Sequence, residues 1–391
     1  MQHLTSKSLP QTIISVLKEC LPADRPTIGL HEPCFEGNEW RYVKDCLDTG
    51  WVSSVGQYVD RFENHLAEFT GVPRAVAVVN GTAGLHIALK LACVEAGDEV
   101  LVPALSFVAA ANAVAYAGAI PHFVDSGMET LGVDAEKLGG WLNEISVNRN
   151  GECYNKLTGR RIKALIALHV FGHPADLDAL SECCQRFHLE LIEDAAEALG
   201  SFYKKKHVGN WGKFSVLSFN GNKIVTTSGG GAILTHDEKL ATLAKHLTTT
   251  AKLPHAWAFN HDLLGYNYRL PNLNAALGCA QMEQLPQFLE RKRALAERYE
   301  KAFVDTPGLR FFKEPKFAKS NYWLNALVLD TDYRDQRNEI LASAHQNGIL
   351  LRPVWTLLNK LPMFQNCPSM ELPVAQDLEQ SLINLPSSAS L

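Results

Sequence analysis

The sequence predicts an α/β protein built on a mostly parallel sheet, and two observations carry that reading. Short apolar runs alternate with stretches of helical spacing from Ala75 to Thr235. The chemistry-bearing residues of this region, the Asn80 turn, His169 and Asp194, fall where those runs end. Repeated strand and helix units imply helices on both faces of the sheet, with ligands bound beyond the carboxyl ends of the strands. At 391 residues the chain is long enough for more than one domain. The pattern divides it into an N-terminal helical extension (1–27), a large domain (28–250) and a smaller α+β C-terminal domain (251–391).

Taken in order, Gln11–Cys20 has helical spacing and ends before Pro22 and Pro26. A second helical pattern, Glu36–Leu47, leads to Gly50, a natural helix stop. The segment from Gly50 to Gly56 suits a loop close to a ligand or an ordinary connection. A strand, Ala75–Val79, passes through Asn80-Gly81-Thr82-Ala83-Gly84 into a helix, Leu85–Val94. Free N–H groups and the dipole at such a helix start attract phosphate, although the dinucleotide fingerprint is absent because there is no third spaced glycine. The strand Glu99–Val102 and the turn at Pro103 bring Ser106-Phe107 to the head of a small-residue helix within Ala104–Ile120. The Phe107 ring can stack on a flat ligand or fill the core.

Further strands are read at Ile120–Val124, Ile162–Leu168 and Leu189–Ile192, with a helix at Asp176–Phe187 and a polar surface excursion at Ile145–Arg161. Ala232–Thr235 closes the large domain and Asp237–Leu247 reads as a helix, whereas Thr248–His261 shows no period. Leu273–Gln284 and Gln287–Phe303 form a helical stretch interrupted by Pro286. The strand Asn325–Leu329, the helix Asp335–Asn347 and Leu350–Pro353 then build the small domain.

Composition narrows the function. A net charge of -5, and no basic block longer than Lys204-Lys205-Lys206, argue against a nucleic-acid partner. The nine cysteines show no Cys-x-x-Cys spacing, so no metal site is expected, and they read as reduced thiols of a cytoplasmic protein. The start of the chain lacks the basic-then-apolar order of a signal peptide. Ala104–Ile120 is shorter than the roughly 20 residues of a membrane span, so no membrane partner is expected.

The most chemistry-shaped stretch runs from Leu191 to Gly231. It holds Asp194 and Glu197 near a strand end, then Ser218-Phe219-Asn220-Gly221-Asn222-Lys223, then Gly229-Gly230-Gly231. Lys223 has no acidic neighbour in sequence, and a neutral amine in such a setting can condense with an aldehyde. A carboxylate at a strand end can pair with a protonated pyridine nitrogen, and the two groups together describe a site for pyridoxal 5′-phosphate (PLP). Either residue alone also fits a surface lysine or a helix-capping aspartate.

These residues, together with Gly50-Trp51-Val52-Ser53-Ser54-Val55-Gly56, His169-Val170-Phe171-Gly172-His173 and Gly265-Tyr266-Asn267-Tyr268-Arg269, resemble the DegT/DnrJ/EryC1/StrS family of PLP-dependent nucleotide-sugar aminotransferases over roughly residues 28–365. The resemblance implies a PLP-dependent transferase of fold type I. Lys223 and Asp194 are then the catalytic pair, with Gly81, Thr82, Ala83, Phe107, Glu197, Ser218 and Asn267 around the cofactor. His169, Arg269 and Arg352 are implied contacts for the nucleotide sugar. Glu197 stands where relatives often carry Gln or His beside the ring hydroxyl, and an ionised carboxylate cannot donate a hydrogen bond there. The match to Asn267 implies a homodimer with shared active sites. The segment Gly50–Glu63 is most similar to the LegC-like branch, implying L-glutamate as amine donor and a UDP-linked 4-keto-6-deoxy-N-acetylhexosamine as acceptor. A GDP- or dTDP-linked keto sugar is the alternative, and so is a PLP-dependent sugar dehydratase, although that branch carries histidine at the lysine position.

Overall fold

The computed structural model describes residues 8–391. The first helix, α1 (Leu9–Cys20), begins two residues before the expected pattern, at a capping box in which Ser8 and Gln11 bond each other's backbone. It is followed by α2 (Glu39–Thr49) and α3 (Gln57–Thr70). Gly50, at φ 74°, ends α2 in the left-handed conformation that an L side chain resists. Helix α3 is not among the expected elements. Its buried Tyr58, Phe62 and Leu66 recur at helical spacing, but the loop-like glycines before it masked the period.

The large sheet is then laid down by β1 (Arg74–Val78), α4 (Gly81–Leu91), β2 (Glu99–Pro103), α5 (Ala109–Tyr116), β3 (Ile120–Val124), α6 (Ala135–Ile145), β4 (Ser146–Arg149), β5 (Glu152–Asn155), β6 (Arg161–Leu168), α7 (Leu177–Phe187), β7 (Glu190–Asp194), β8 (Phe202–Tyr203), β9 (Lys206–His207), β10 (Phe214–Ser218), β11 (Gly231–Thr235) and α8 (Glu238–Thr248). The helix α4 starts four residues earlier than expected because Asn80 caps it, its Oδ1 accepting the Ala83 N–H at 2.8 Å. The polar excursion is the β4–β5 hairpin, and β5 pairs with β6.

Strand order across the main path is β1-β11-β10-β7-β6-β2-β3. The β10–β7, β7–β6, β6–β2 and β2–β3 pairings are parallel, while β11 runs antiparallel to both its neighbours. The carboxyl ends of β1, β2, β6, β7 and β10 therefore open on one edge.

A 32-residue helix, α9 (Asn272–Phe303), carries the chain away from the sheet. The expected interruption at Pro286 does not occur. A proline removes one N–H but leaves the flanking turns bonded, and burial of Leu285 and Phe288 on either side holds the helix straight through. The first half of α9 packs on Tyr42, Tyr58 and Phe62, and its second half, through Leu295, Tyr299 and Phe303, packs on Ile13 and Leu17 of α1. Beyond it lie β12 (Leu309–Phe311), β13 (Ala318–Lys319), β14 (Asn325–Leu329), α10 (Arg337–Gln346), β15 (Arg352–Pro353), α11 (Pro373–Ser381) and β16 (Leu382–Leu385). They include a four-stranded antiparallel sheet in the order β12-β14-β16-β15.

Gly231 lets β11 pass the start of α4. A Cβ there would meet the backbone of Asn80 and Gly81 at 2.7 Å. Gly231→Ala should cost about 1–3 kcal/mol of stability through overpacking, whereas Gly71→Ala, which meets nothing within 4 Å but sits at φ +70°, should cost no more than about 1–2 kcal/mol. Denaturant midpoints at constant m value measure both.

Candidate functional site

Two neighbouring residues of β7 face opposite ways, as alternation along a strand requires. Glu193 turns into the protein. It is fully buried, and its carboxylate accepts N–H groups from Gly209 (2.6 Å), Trp211 (2.9 Å) and Gly212 (2.8 Å) and stands 3.1 Å from His169 Nε2. Burial alone would raise its pKa, but the His169 contact and the Gly212 and Gly209 N–H groups hold it below the ordinary value.

Asp194 turns the other way, into a cavity of about 370 Å³ at the carboxyl edge of the sheet. Among the described residues, its carboxylate takes one hydrogen bond, from the Ala196 N–H at 3.1 Å. Burial lifts its pKa, and the Ala196 N–H and the Lys223 and His169 charges pull it back. A buried carboxyl so sparsely bonded is suited to a cationic partner.

Gly81, Thr82, Phe107, Asp194, Glu197, Ser218 and Lys223 line this one cavity, joined by Asn80, Asn220, Asn222, Trp323 and Trp355. The Lys223 amine lies 3.6 Å from Glu197 Oε1 and 3.9 Å from the centroid of the Trp323 ring. The lysine without an acidic neighbour in sequence thus has one in space. Glu197 also accepts the Phe171 N–H at 2.8 Å, and Phe171 adopts the left-handed φ of 56° that is unusual for a residue with a Cβ. Burial pushes the Glu197 carboxyl up to about 7, against the pull of Lys223 and the Phe171 N–H and with a further push from Asp194. At that value a good fraction is protonated near neutral pH, so Glu197 can donate as well as accept.

At the opposite wall, the N–H groups of Gly81 and Thr82 open α4, and neither has a partner among the described residues. The space is tight: a Cβ on Gly81 would sit 3.2 Å from the Ser218 Cβ. Helix start, hydroxyl and dipole together form an anion seat. The Phe107 ring lines the cavity with 55% of its surface exposed.

The remaining expected residues stand elsewhere. Ala83 is buried behind the seat and its N–H is taken by Asn80, so it does not line the cavity. The fully buried His169 has both ring nitrogens engaged, Nδ1 by the Ala175 N–H at 3.1 Å and Nε2 by Glu193, which leaves it supporting β7 from behind and away from any ligand. Asn267 is exposed and accepts from Arg269 Nε at 3.1 Å, on a segment bridged to Thr249 and Val78, outside the cavity. Arg352 opens β15 on the surface, also outside the lining, while Trp355 three residues later reaches the wall and packs 5.3 Å from Phe171. Trp323 had no signal in the sequence, because nothing local distinguishes it from a core aromatic.

A mixed sheet with one reversed strand on its main path, an amine and a carboxylate on its carboxyl edge, and an anion seat in the same cavity define a lysine-dependent enzyme of the PLP class. The family comparison gives the particular member. The model of the DegT/DnrJ/EryC1/StrS aminotransferase family matches residues 33–391, and the chain belongs to that family. It is similar to a GDP-perosamine synthase of Escherichia coli O157:H7, 38% identical over 93% of this chain and 94% of that one. It is also similar to the putative pyridoxal phosphate-dependent aminotransferase EpsN of Bacillus subtilis, 36% identical over 93% and 92%. Among solved structures, Helicobacter pylori PseC, an aminotransferase involved in the biosynthesis of pseudoaminic acid, superimposes with a TM-score of 0.84 at 25% identity over 93% of this chain and 95% of that one.

The cofactor of this class is PLP, and the residues fit it: an unpartnered N–H pair with a hydroxyl for its phosphate, a sparsely bonded buried carboxyl for its ring nitrogen, an amine for its aldehyde and an exposed ring for its face.

Lys223→Ala should fold yet leave no borohydride-trapped cofactor on the peptide containing position 223, with amino transfer reduced by on the order of 10³-fold or more. Without cofactor, the native state should keep a proton on Glu197 up to about pH 7 that the unfolded chain releases in the ordinary carboxylate range. The native state then binds more protons across that window, so stability falls as pH rises through it. The loss between about pH 5 and about pH 8 should be on the order of 2 kcal/mol, and Glu197→Gln should shrink it; denaturant midpoints at the two pH values measure this.

Proposed function

We propose that this chain moves an amino group from L-glutamate to the C4 keto carbon of a nucleotide-linked 4-keto-6-deoxy sugar, leaving 2-oxoglutarate and the amino sugar. The observation that carries the reading is the Lys223 amine in one cavity with Asp194 and the helix-start anion seat.

When bound, PLP supplies an aldehyde and a ring that accepts the electron pair left when a carbon loses its proton. Asp194 keeps a positive charge on the ring nitrogen. Lys223 Nζ would hold the aldehyde and would be the group in reach to take a proton from one carbon and return it to another. The Gly81 and Thr82 N–H groups and Ser218 would hold the phosphate, and the Trp323 ring over the amine would restrict water there.

For the nucleotide we place GDP first, in preference to the UDP that the segment Gly50–Glu63 suggested. Support comes from the GDP-perosamine synthases of Escherichia coli O157:H7 and Vibrio cholerae, 38% and 34% identical to this chain. Turnover of GDP-, UDP- and dTDP-linked 4-keto-6-deoxy sugars side by side, with L-glutamate as donor, tests the order. A preference for GDP of about tenfold or more, worth about 1.4 kcal/mol, is expected, and equal or better turnover of a UDP sugar reverses the assignment.

The active unit in this reading is a homodimer. Trp257 (82% exposed), Leu264 (83%), Trp40 (80%) and Val55 (66%) carry apolar surface that a partner copy would cover. Asn267 and Arg269, beside that loop, then reach toward the partner's cavity. Sedimentation should give a dimer, and Leu264→Glu combined with Trp257→Glu should shift it toward monomer with loss of activity.

A further inference from the structure

Lys292, in the second half of α9, is a fully buried amine, and the three groups it meets are all neutral. Nζ lies 3.0 Å from His31 Nε2 and 3.2 Å from the Trp323 carbonyl, and it also meets the Ser387 carbonyl. A buried ammonium without a counter-charge is costly. A neutral amine has two donors and one lone pair, and the site offers two carbonyl acceptors and a ring nitrogen that can donate to that lone pair.

The histidine agrees with that accounting. If His31 donates from Nε2, its Nδ1 keeps a lone pair, and Nδ1 is a buried atom with no partner among the described residues. An ammonium at Lys292 would force the His31 proton onto Nδ1 and bury an orphan N–H, the rarer defect. Burial pushes Lys292 well below the ordinary amine range. Burial does the same to His31.

What this amine holds is Trp323. The Trp323 carbonyl takes the Lys292 bond, its N–H bonds Asn321 Oδ1 at 2.8 Å, and its indole N–H bonds the Asn222 carbonyl at 2.7 Å. Its ring face lies against Lys223 Nζ. We propose that Lys292 is a positioning residue for amino transfer: it pins the main chain at Trp323, and the Trp323 ring sets where the Lys223 amine stands. The inference rests on the proposed role of Lys223. It assigns to the long helix and to the segment at Ser387 a hold on the reacting nitrogen that acts through Trp323.

Lys292→Met keeps chain length and packing and removes the bonds. In cofactor-free protein, hydrogen exchange of the peptide spanning 320–325 should quicken by about tenfold. In the loaded enzyme, the pH midpoint for borohydride trapping at Lys223 should move by about half a unit or more, and kcat should fall by about tenfold, with KM for the sugar nucleotide within about twofold. Trp323→Phe should produce the same shift, and the double variant should be no worse than Trp323→Phe alone.

A Lys292→Met protein with lower melting temperature but unchanged pH midpoint and kcat overturns the proposal, as do additive effects in the double variant. Lys292→Gln takes the same measurements if the Met variant does not fold, and failure of both to fold assigns the amine to the fold and overturns the proposal as well. Wild-type protein that traps no cofactor at Lys223 overturns both readings, whereas normal trapping with no response to Lys292 overturns this one alone.

Discussion

Everything at the site depends on the alternation of β7. Glu193 and Asp194 are adjacent, so one carboxylate must enter the protein where the next enters the cavity. The inward carboxylate collects the N–H groups of the 209–212 loop and the His169 ring, which ties β7 to the segments on both sides. That bonding is dense enough to keep a fully buried acid ionised. With β7 tied in this way, Asp194 stands buried in the cavity wall with, among the described residues, a single hydrogen bond to its carboxylate, a position suited to a cationic partner.

The second requirement is closure from the far end of the chain. The sheet supplies Asp194, Ser218, Lys223 and the α4 seat, but the aromatic wall comes from Trp323 and Trp355, beyond the long helix. Because α9 runs unbroken through Pro286, the packing of α2 and α3 at its start is mechanically continuous with the packing of α1 and the smaller sheet at its end. A lysine on that helix bonding the Trp323 carbonyl is consistent with the same economy, in which one rigid element locates both halves of the cavity.

Glu197 illustrates how an environment changes what a residue type can do. On sequence grounds a carboxylate in that place is an acceptor only. In the folded chain, burial and the neighbouring Asp194 raise it until the protonated form persists near neutral pH, while the Phe171 N–H fixes one of its oxygens. The left-handed backbone at Phe171 is the local cost of aiming that N–H.

The residues alone determined the alternating α/β pattern, the strand boundaries at Ile120–Val124 and Asn325–Leu329, and the turn at Asn80–Gly84 that opens a helix, and they singled out Lys223 and Asp194, which the fold brings into one cavity. These were legible because period, capping and turn chemistry act over a few residues, and because a lone lysine and a strand-end aspartate stand out from their neighbours. Only the tertiary structure decided that Glu197 faces Lys223, that His169 serves Glu193 from behind, that Ala83 lies outside the cavity, and that Trp323 roofs the amine. Those outcomes depend on which strand face a side chain takes and on contacts made across a hundred residues, such as the 3.9 Å approach of Lys223 to Trp323, and no local pattern encodes either.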